Sequence, residues 1–366
     1  MLRHLVLACS LLAGATLFPT DVLATTAATS APLPVGCSTT GAIALDGSEI
    51  YWATETHVTF GSGDPNTVYA APLSGGPART LMTLRGAASL AVDASDVFVA
   101  QQYDMAPANG RRSASWIAKV PKAGGAAVML VRDRTNVRDL HVDTSHLFWS
   151  EASGVFVSNK DGSGVTSMHG RGGRLAADDA WLYVSDWTGT PVCGECKTGV
   201  TERGGRILAI AKSGKTTRVV AEGLLEIQAI ASDDANLYAA TWSSYAKASG
   251  EIVRIDKKTG KKEVLAGGQE LPVEIEAMDR RVAYTSPQGI LVVEKTKPAA
   301  PVRLSPASHV RRLRAPTSGS LLYWTGAVES AAFAAQSCSA MSRRSVQTGV
   351  LVTDTGTIWS AAPPSP

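Results

Sequence analysis

Residues 45–54 read LDGSEIYWAT, and related stretches of ten residues return along the rest of the chain. They begin at residues 92, 142, 177, 232 and 278 and read VDASDVFVAQ, VDTSHLFWSE, ADDAWLYVSD, SDDANLYAAT and MDRRVAYTSP. Each has an aspartate followed five residues later by an aromatic side chain, and the pairs are Asp46/Tyr51, Asp93/Phe98, Asp143/Phe148, Asp178/Tyr183, Asp233/Tyr238 and Asp279/Tyr284. A weaker seventh copy has Ser318 and Tyr323 at these positions. This recurrence predicts a repeat protein.

Each repeat carries the signals for four β-strands. A short apolar run such as GAIAL leads into the aspartate, which favours a turn because its side chain can accept a hydrogen bond from the backbone two residues on. A second apolar run follows, and later two β-branched runs flank a glycine turn, as in IAKVPKAGGAAVMLV from residue 117. Four strands and a period of about 40 residues are typical of a propeller blade. We therefore predict an all-β fold, a single β-propeller of four-stranded antiparallel blades, with seven blades or alternatively six.

Four tetrads that start at the aromatic position resemble a known signature. YWAT at Tyr51, FWSE at Phe148, YVSD at Tyr183 and YWTG at Tyr323 are similar to the YWTD motif of lipoprotein-receptor-type propellers and of secreted bacterial propellers with the same pattern. The resemblance extends over nearly all of residues 41–360 and implies the fold. YWTD propellers have six blades, so it leaves open seven blades or six with a closing strand.

The first 24 residues have the features of a secretory signal peptide. Arg3 is followed by an apolar run over residues 5–18 and by small residues up to Ala24, after which we expect cleavage. A membrane anchor is the rival reading, but the run has about 14 residues and a span needs about 20. Ala8-Cys9 also resembles the end of a lipobox, although little apolar sequence precedes it. We expect a secreted or periplasmic protein with a linker at 25–36, the propeller at 37–360 and a disordered tail at 361–366.

Four cysteines remain after removal of the signal, namely Cys37, Cys193, Cys196 and Cys338. An even number in an oxidising compartment favours disulfides. We expect Cys193 to bond Cys196 within the loop TPVCGECKTG, and Cys37 to bond Cys338 and so join the two ends of the domain. A zinc site is the alternative for the Cys193/Cys196 pair, but no second close pair of ligands accompanies it.

Charge and composition narrow the function. The net charge of +3 and the lack of a long basic run argue against a nucleic-acid surface. No later segment reaches transmembrane length, and we expect a monomer. No nucleophile elbow, zinc-protease or nucleotide-binding motif is present, so no cofactor is predicted, with calcium or zinc considered only if the protein is an enzyme.

The long loops between the second and third strands of each repeat form the first candidate surface. Loops on a rigid scaffold often carry recognition residues, and aromatic side chains with arginines are typical of protein or glycan recognition. The candidates are Phe60, Tyr103, Arg111, Arg112, Trp187, Trp242, Tyr245 and Phe333. The competing interpretation is that these loops fold their own aromatic side chains onto the disc.

The mouth of the central channel is the second candidate site. Residues at or before the innermost strands include Arg138, Asp139, His141, Arg174, Glu226, Gln228, Glu274, Arg311 and Arg314. They could bind an anion or a small polar molecule, or pair with one another. His141 stands where other repeats have alanine two residues before the aspartate, at Ala44, Ala91, Ala176, Ala231 and Ala277. It is either a ligand or general base or a packed, hydrogen-bonded histidine.

Two functions remain open. The first is a binding or interaction module that recognises a protein, a glycan or a small polar ligand through its long-loop face. The alternative is a hydrolase or lyase with a polar, metal-assisted site at the channel mouth. Convergence of His141, Asp139 and Glu274 on one open pocket would favour the enzyme.

Overall fold

The computed structural model describes residues 39–55, 66–73, 77–84, 87–101, 115–188, 204–243, 248–305, 310–315, 321–328 and 345–352. Within these ranges the chain forms 27 β-strands and no helix. All sheets are antiparallel, and strands that follow one another in the chain are neighbours in the sheet. The predicted all-β class is confirmed.

Six sheets have four strands each, and we number them as blades 1 to 6. Blade 1 contains β1 (Thr39–Leu45), β2 (Glu49–Glu55), β3 (Asn66–Pro72) and β4 (Arg79–Leu84). Blade 2 contains β5 (Ala87–Val92), β6 (Asp96–Gln101), β7 (Ser115–Pro121) and β8 (Val128–Arg134). Blade 3 contains β9 (Leu140–Val142), β10 (His146–Glu151), β11 (Gly154–Asn159) and β12 (Thr166–His169).

The remaining sheets complete the chain. Blade 4 contains β13 (Leu175–Ala177), β14 (Trp181–Trp187), β15 (Gly205–Ala211) and β16 (Thr217–Leu224). Blade 5 contains β17 (Glu226–Ser232), β18 (Asn236–Trp242), β19 (Gly250–Asp256) and β20 (Lys262–Gln269). Blade 6 contains β21 (Ile275–Ala277), β22 (Arg281–Ser286), β23 (Gly289–Glu294) and β24 (Val302–Ser305). The terminal sheet has three strands, β25 (Val310–Arg314), β26 (Leu321–Val328) and β27 (Ser345–Val352).

The first strands of successive sheets form a closed ring. β1 packs against β5, β5 against β9, and so on through β13, β17 and β21 to β25, which returns to β1. This arrangement is a propeller with strands A to D running from the axis outward. The prediction of seven four-stranded blades is not confirmed, because six blades are complete within the described residues and the terminal sheet has three strands. The repeat that forms the terminal sheet is also the least regular in sequence, with Ser318 in place of the aspartate.

The hydrophobic core consists of separate clusters between neighbouring blades. Tyr51 of blade 1 packs with Leu90 and Val97 of blade 2, and Tyr183 of blade 4 packs with Leu237 of blade 5. The aromatic side chains of the first five repeats are at most 1% exposed, and they are Tyr51, Phe98, Phe148, Tyr183 and Tyr238. The repeated aromatic residue therefore joins one blade to the next, because neither face of a four-stranded sheet is covered by the blade itself.

In the sixth repeat, the aspartate position inferred from the sequence spacing differs by one residue from the position in the structure. The backbone N–H of Met278 bonds the Arg281 carbonyl, as the N–H of Asp46 bonds that of Glu49, so Met278 and not Asp279 occupies the turn position. The aromatic position is consequently Ala283. A shift of one residue reverses the face of a strand, and Tyr284 instead packs toward blade 5. Its hydroxyl donates to Gln269 Oε1 at 2.6 Å.

The same shift changes the innermost strand of blade 6. Glu276, and not Ala277, pairs with Ala283 in the way that Ala44 pairs with Tyr51. The prediction of alanine at this position in blade 6 is therefore wrong. Counting from the aspartate could not detect the shift, because Asp279 and Tyr284 happen to have the expected spacing of five.

Candidate functional site

The face that carries the A-to-B turns is occupied by structural ion pairs. In blades 1 to 5 one carboxylate oxygen of the repeated aspartate accepts backbone N–H groups of its own turn, as Asp178 Oδ1 does from Ala180 and Trp181 at 3.0 and 2.9 Å. These five aspartates are therefore the predicted turn formers. The other oxygen contacts a lysine from the C-to-D turn of the next blade, and the pairs are Asp46/Lys122, Asp93/Lys160, Asp143/Lys212, Asp178/Lys257 and Asp233/Lys295.

These lysines were not identified from the sequence, although the signal was present. Each is the first residue of the C-to-D turn in five consecutive repeats, at the end of runs such as IVRID before Lys257. Burial alone would raise the pKa of Asp178, but hydrogen bonds from Lys257, Tyr183 and Trp181 outweigh it and lower the pKa to about 2. The aspartates remain ionised, and this face of the disc is held together by them.

The innermost strands carry two rows of equivalent positions. The first row is Ala42, Ser89, Asp139, Arg174, Ala229, Glu274 and Arg312. The second row, two residues further along each strand, is Ala44, Ala91, His141, Ala176, Ala231, Glu276 and Arg314. Small residues line both rows in blades 1, 2 and 5. Ionisable side chains therefore occur only in two sectors, at blades 3 and 4 and at blade 6 with the terminal sheet.

The first row forms ion pairs between neighbouring sheets. Arg174 Nη1 lies 3.6 Å from Asp139 Oδ1, and the backbone N–H of Leu175 donates to Asp139 Oδ2 at 3.1 Å. Arg312 Nη1 donates to Glu274 Oε1 at 2.5 Å, and Glu274 is buried. The predicted possibility that the acids and arginines of this region pair with one another is confirmed for these residues.

His141 in the second row is packed between neighbours. Its Nε2 lies 3.4 Å from Lys212 Nζ, and its ring is 6.2 Å from that of Phe148. Burial and then the positive charge of Lys212 lower the pKa of His141 to about 4, against the opposing effect of Asp143. A neutral histidine can accept a hydrogen bond from the ammonium group. The packed interpretation of His141 is the one that the geometry supports.

Glu276 and Arg314 form the charged part of the second row. Arg314 Nη1 lies 3.9 Å from Glu276 Oε2, and the backbone N–H of Ala315 donates to Glu276 Oε1 at 3.2 Å. Burial raises the pKa of Glu276 to about 7, although Arg314 and this N–H act in the opposite direction. Arg314 was a candidate from the sequence, whereas Glu276 was missed because of the one-residue shift in blade 6.

A cavity of about 750 Å³ opens on the other face, where the B-to-C and D-to-A connections lie. We call it the central cavity. It reaches from the connections before blades 3 and 4 to the innermost strands of blade 5 and of the terminal sheet. Its lining residues are Asn136, Arg138, Ala152, Arg171, Gly172, Gly173, Arg174, Ser185, Asp186, Trp187, Glu226, Ile227, Gln228 and Arg312. Five predicted candidates, Arg138, Arg174, Trp187, Glu226 and Gln228, thus come together in one cavity.

The connection between blades 3 and 4 shapes this cavity. A Cβ atom at Gly172 would lie 1.5 Å from the Glu151 carbonyl oxygen, and one at Gly173 would lie 1.9 Å from that of Ser185. Only glycine allows the chain to pass so close to both blades. The backbone between the flanking Arg171 and Arg174 is therefore packed tightly against blades 3 and 4, and both arginines line the cavity.

A second cavity of about 440 Å³ lies beside the first, and we call it the outer cavity. Its lining is His169, Gly170, Arg171, Asp186, Trp187, Thr188 and Arg206. Asp186 is buried between the two cavities and bonds Arg206 Nε and Nη2 at 2.9 and 2.5 Å. Burial would raise the pKa of Asp186, but the hydrogen bond from Arg206 and the other contacts lower it. The carboxylate is ionised, with Arg171 and His169 within 3.9 and 3.7 Å of its oxygens.

The other candidates do not line either cavity. Asp139, His141, Glu274 and Arg314 have the separate contacts described above, and Trp242 ends β18 opposite Glu226 in the ladder. Phe60, Tyr103, Arg111, Arg112, Tyr245 and Phe333 lie outside the described residues, as do Cys37, Cys193, Cys196 and Cys338. Of the Arg311 side chain nothing is described. His169, Arg171, Asp186, Arg206 and Arg312 were missed, and the sequence GRGGR before β13 was the one available signal.

Backbone strain is concentrated on the same face. Among the described residues, non-glycine residues with positive φ are Asp133, Asn136, Ala248 and Leu271, at 56°, 54°, 55° and 40°. Asn136 and Leu271 are in D-to-A connections, Ala248 is in a B-to-C connection, and Asp133 is the second-last residue of β8. Asn136 lines the central cavity. Strained residues of this kind cluster at functional sites.

In the described ranges, no three histidine, cysteine, aspartate or glutamate side chains are grouped so that they could hold a metal ion. The described residues form no helix that is long and apolar enough to cross a membrane.

Comparison with solved structures finds propellers at low sequence identity. The computationally designed Ika8 protein has a TM-score of 0.56 at 13% identity, over 89% of this chain and 87% of its own. PorZ, a surface component of the type-IX secretion system of Porphyromonas gingivalis, has 0.57 at 10%, over 91% and 39%. Acylaminoacyl peptidase of Pyrococcus horikoshii has 0.58 at 10%, over 89% and 52%.

No protein-family model matches the chain, and no curated protein does. Identities this low show the fold alone, because one fold supports unrelated functions. The propeller implied by the sequence resemblance is confirmed, while membership of the YWTD type stays a prediction. The chain is a β-propeller with an arginine-lined recess on the face of its long connections.

Proposed function

We propose that this protein is a binding module that holds a polar, negatively charged ligand in the central cavity. The observation that carries the proposal is the composition of the lining. Nine of its fourteen residues are polar or charged, and four of these are arginines. Most pockets for drug-like ligands are largely apolar with few polar groups, so this lining suits a ligand rich in hydroxyl and carboxylate groups.

Two of the arginines are available to such a ligand. Arg138 is exposed, and within the described ranges its guanidinium has no ion pair or hydrogen bond. Arg171 donates from Nη1 to the Trp187 carbonyl at 2.8 Å, but its side chain is 66% exposed. Arg174 and Arg312 are committed to Asp139 and Glu274. Guanidinium groups bind carboxylates through two parallel hydrogen bonds, which gives both strength and orientation.

The enzyme alternative has less support. It required His141, Asp139 and Glu274 to meet at an open pocket, and each of the three has a different partner in Lys212, Arg174 and Arg312. The central cavity also lacks a histidine among its lining residues. Binding is therefore the function that the geometry supports best.

We further propose that the protein acts outside the cytoplasm, in a periplasm or as a secreted protein. The support is the sequence of residues 1–24, with Arg3, the apolar run and the small residues before Ala24. Extracellular and periplasmic ligands include many anionic sugars and peptides, which suits the charge of the cavity.

The test is calorimetric titration of the mature protein with digalacturonate, citrate and the uncharged disaccharide maltose. We expect the two anions to bind and maltose not to bind. Arg138→Gln should weaken the anions by about tenfold, since a charge-assisted hydrogen bond contributes roughly 1.5–3 kcal/mol. The matched control is Arg132→Gln, which changes an exposed arginine on the outer strand β8.

Three results would contradict the proposal. These are equal affinity for maltose and the anions, an unchanged affinity in Arg138→Gln, and no binding of either anion at millimolar concentration. An equal loss in Arg132→Gln would show that the effect comes from general charge and not from the cavity.

A further inference from the structure

The central and outer cavities share three lining residues, Arg171, Asp186 and Trp187. They are therefore two parts of one recess, which we call the radial groove. It begins at Arg312 on the innermost strand β25 and continues between blades 3 and 4 to Arg206 on β15. A groove of this form admits an extended molecule, whereas the proposed function requires only the central cavity.

Positive charge is distributed along the whole groove. Arg138, Arg174 and Arg312 lie in the central cavity, Arg171 at the junction and Arg206 in the outer cavity. Two carboxylates also line the groove, the buried Asp186 at the junction and the exposed Glu226 in the central cavity. Asp186 pairs with Arg206, and Arg174 and Arg312 pair with Asp139 and Glu274, so Arg138 and Arg171 are the arginines open to a ligand. A ligand with several negative groups spaced along a chain matches this distribution better than a single anion, because Arg138 and Arg171 can each engage a different group.

The outer cavity also has a ring nitrogen without a partner. His169 Nε2 is buried, and within the described residues it makes no hydrogen bond; Asp186 Oδ2 is 3.7 Å away. A buried polar atom without a partner costs free energy. A ligand hydroxyl or carboxylate in the outer cavity would satisfy it.

Trp187 gives the groove a flat apolar surface at the junction. Trp187 is partly exposed and lines both cavities, and the lining residues Gly170, Gly172 and Gly173 have no side chains. A tryptophan ring presents a large, rigid, amphipathic face. A sugar ring has an apolar face of carbon-bound hydrogens and a rim of hydroxyls, and it fits both this surface and the polar walls.

We infer that the radial groove binds a linear acidic oligosaccharide, with successive sugar carboxylates at Arg138, at Arg171 and at the outer cavity. The inference rests on the proposed function and specifies its ligand class. An acidic peptide is disfavoured, because apart from Trp187 the lining offers only Ile227 and Ala152 as apolar contacts. A peptide would also gain from pairing with a strand edge, and the groove crosses the ends of strands.

The experiment compares chain lengths by calorimetric titration. Hexagalacturonate should bind roughly tenfold or more tightly than digalacturonate, because the second cavity is filled without a second loss of translational freedom. His169→Leu, which removes the ring nitrogen, should weaken hexagalacturonate by about threefold or more while leaving digalacturonate unchanged. Thr188→Glu, which places a negative charge at the outer cavity, should have the same selective effect. Thermal melting of each variant confirms that it is folded.

Two control ligands test the charge argument and the glycan class separately. Fully methyl-esterified hexagalacturonate should not bind, and hexaglutamate should bind at least about tenfold more weakly than hexagalacturonate. Equal affinity for the ester would overturn the charge argument, and equal affinity for hexaglutamate would overturn the glycan class.

If hexamer and dimer bind equally and His169→Leu and Thr188→Glu change nothing, the groove is refuted. In that case a tenfold loss of digalacturonate affinity in Arg138→Gln still leaves the central cavity as a binding site. If digalacturonate also fails to bind, the proposed function fails with it.

Discussion

Asp178 uses both oxygens of its carboxylate for different purposes. Oδ1 holds the A-to-B turn, while Oδ2 accepts from the Tyr183 hydroxyl at 2.6 Å and from Lys257 Nζ of the next blade at 2.8 Å. The Lys257 ammonium also lies 5.0 Å from the centre of the Tyr183 ring, within range of a cation–π contact. One residue thus fixes a turn, orients a buried ring and joins two blades, which is why the repeat retains an aspartate here.

The variant Asp178→Asn tests this role through the pH dependence of stability. The pKa of Asp178 is about 2 in the folded protein against an ordinary 3.8. The unfolded chain therefore binds a proton that the folded protein does not, and the free energy of unfolding falls as the pH is lowered through this window. We expect urea denaturation of Asp178→Asn to show a smaller loss of stability than the unchanged protein between about pH 4 and pH 2.

At neutral pH the same variant should be less stable by about 1–3 kcal/mol, because it leaves the buried Lys257 ammonium without its carboxylate. Asp279→Asn is the matched control, since Asp279 is exposed and lies outside the turn position. Equal acid sensitivity in Asp178→Asn and the unchanged protein would show that this pair does not contribute to stability.

For single residues, the sequence identified the aspartate of each aspartate–lysine pair but not the lysine. The aspartates were recognised as turn formers because their spacing from an aromatic residue is visible in one dimension. Their lysine partners lie in the following repeat, for example 79 positions from Asp178 to Lys257, and only the ring of blades brings the two together. Arg171 and Asp186 were missed for a related reason, since the groove combines residues of several sheets.

Strand β21 of blade 6 shows what replaces the lysine–aspartate pair when the aspartate is absent. Met278 stands at the aspartate position, and the joint to the terminal sheet instead has the pairs Glu274/Arg312 and Glu276/Arg314 on the innermost strands. At this joint the charged pairs therefore lie on the innermost strands and not at the A-to-B turn. Burial disfavours an ionised Glu276 there, and Glu276 has one backbone N–H at 3.2 Å and Arg314 at 3.9 Å to oppose it. The turn aspartates are also largely buried, but backbone N–H groups and a lysine stabilise their ionised form.

The position of Glu276 on the innermost strand of blade 6 should be visible in the pH at which its carboxyl group titrates. The pKa is about 7 in the folded protein against an ordinary 4.5, so the folded protein holds the proton over a range in which the unfolded chain has lost it. The free energy of unfolding should therefore fall as the pH rises through this window. We expect a carboxyl carbon resonance with a midpoint near pH 7 in the NMR titration, absent from Glu276→Gln.

The Glu276→Gln variant should also have a flatter dependence of stability on pH between about 4.5 and 7. A midpoint near the ordinary value would mean that water reaches Glu276 freely. The existence of strand β21 was predictable from its apolar pattern, but its register was not, because a spacing rule cannot distinguish Asp279 from the true turn residue Met278.

The whole ring closes between the terminal sheet and blade 1, where the repeat is weakest. Ser318 and Leu73 stand at the positions that elsewhere carry the aspartate and the lysine, and β1 packs directly against β25 and β26. Cys37 precedes β1 by two residues, and Cys338 lies in the connection between β26 and β27.

We predict that mass spectrometry of unreduced peptides from the mature protein will contain Cys37 linked to Cys338 and Cys193 linked to Cys196. Loss of the first bond in a Cys37→Ser, Cys338→Ser double variant should lower stability by about 2–4 kcal/mol, because it closes a long loop in the unfolded chain. The double variant Cys193→Ser, Cys196→Ser is the control and should have a smaller effect, since its loop is short. Free thiols at all four positions would contradict the pairing.

The lysine of every joint from the first blade to the sixth comes from the later sheet and the aspartate from the earlier one. Removing or duplicating a complete period would therefore leave a compatible donor and acceptor at the new junction. The number of blades in such a ring can change by unequal recombination without a new interface between blades. A circularly permuted gene should likewise be tolerated when the new chain ends replace a connection between two sheets.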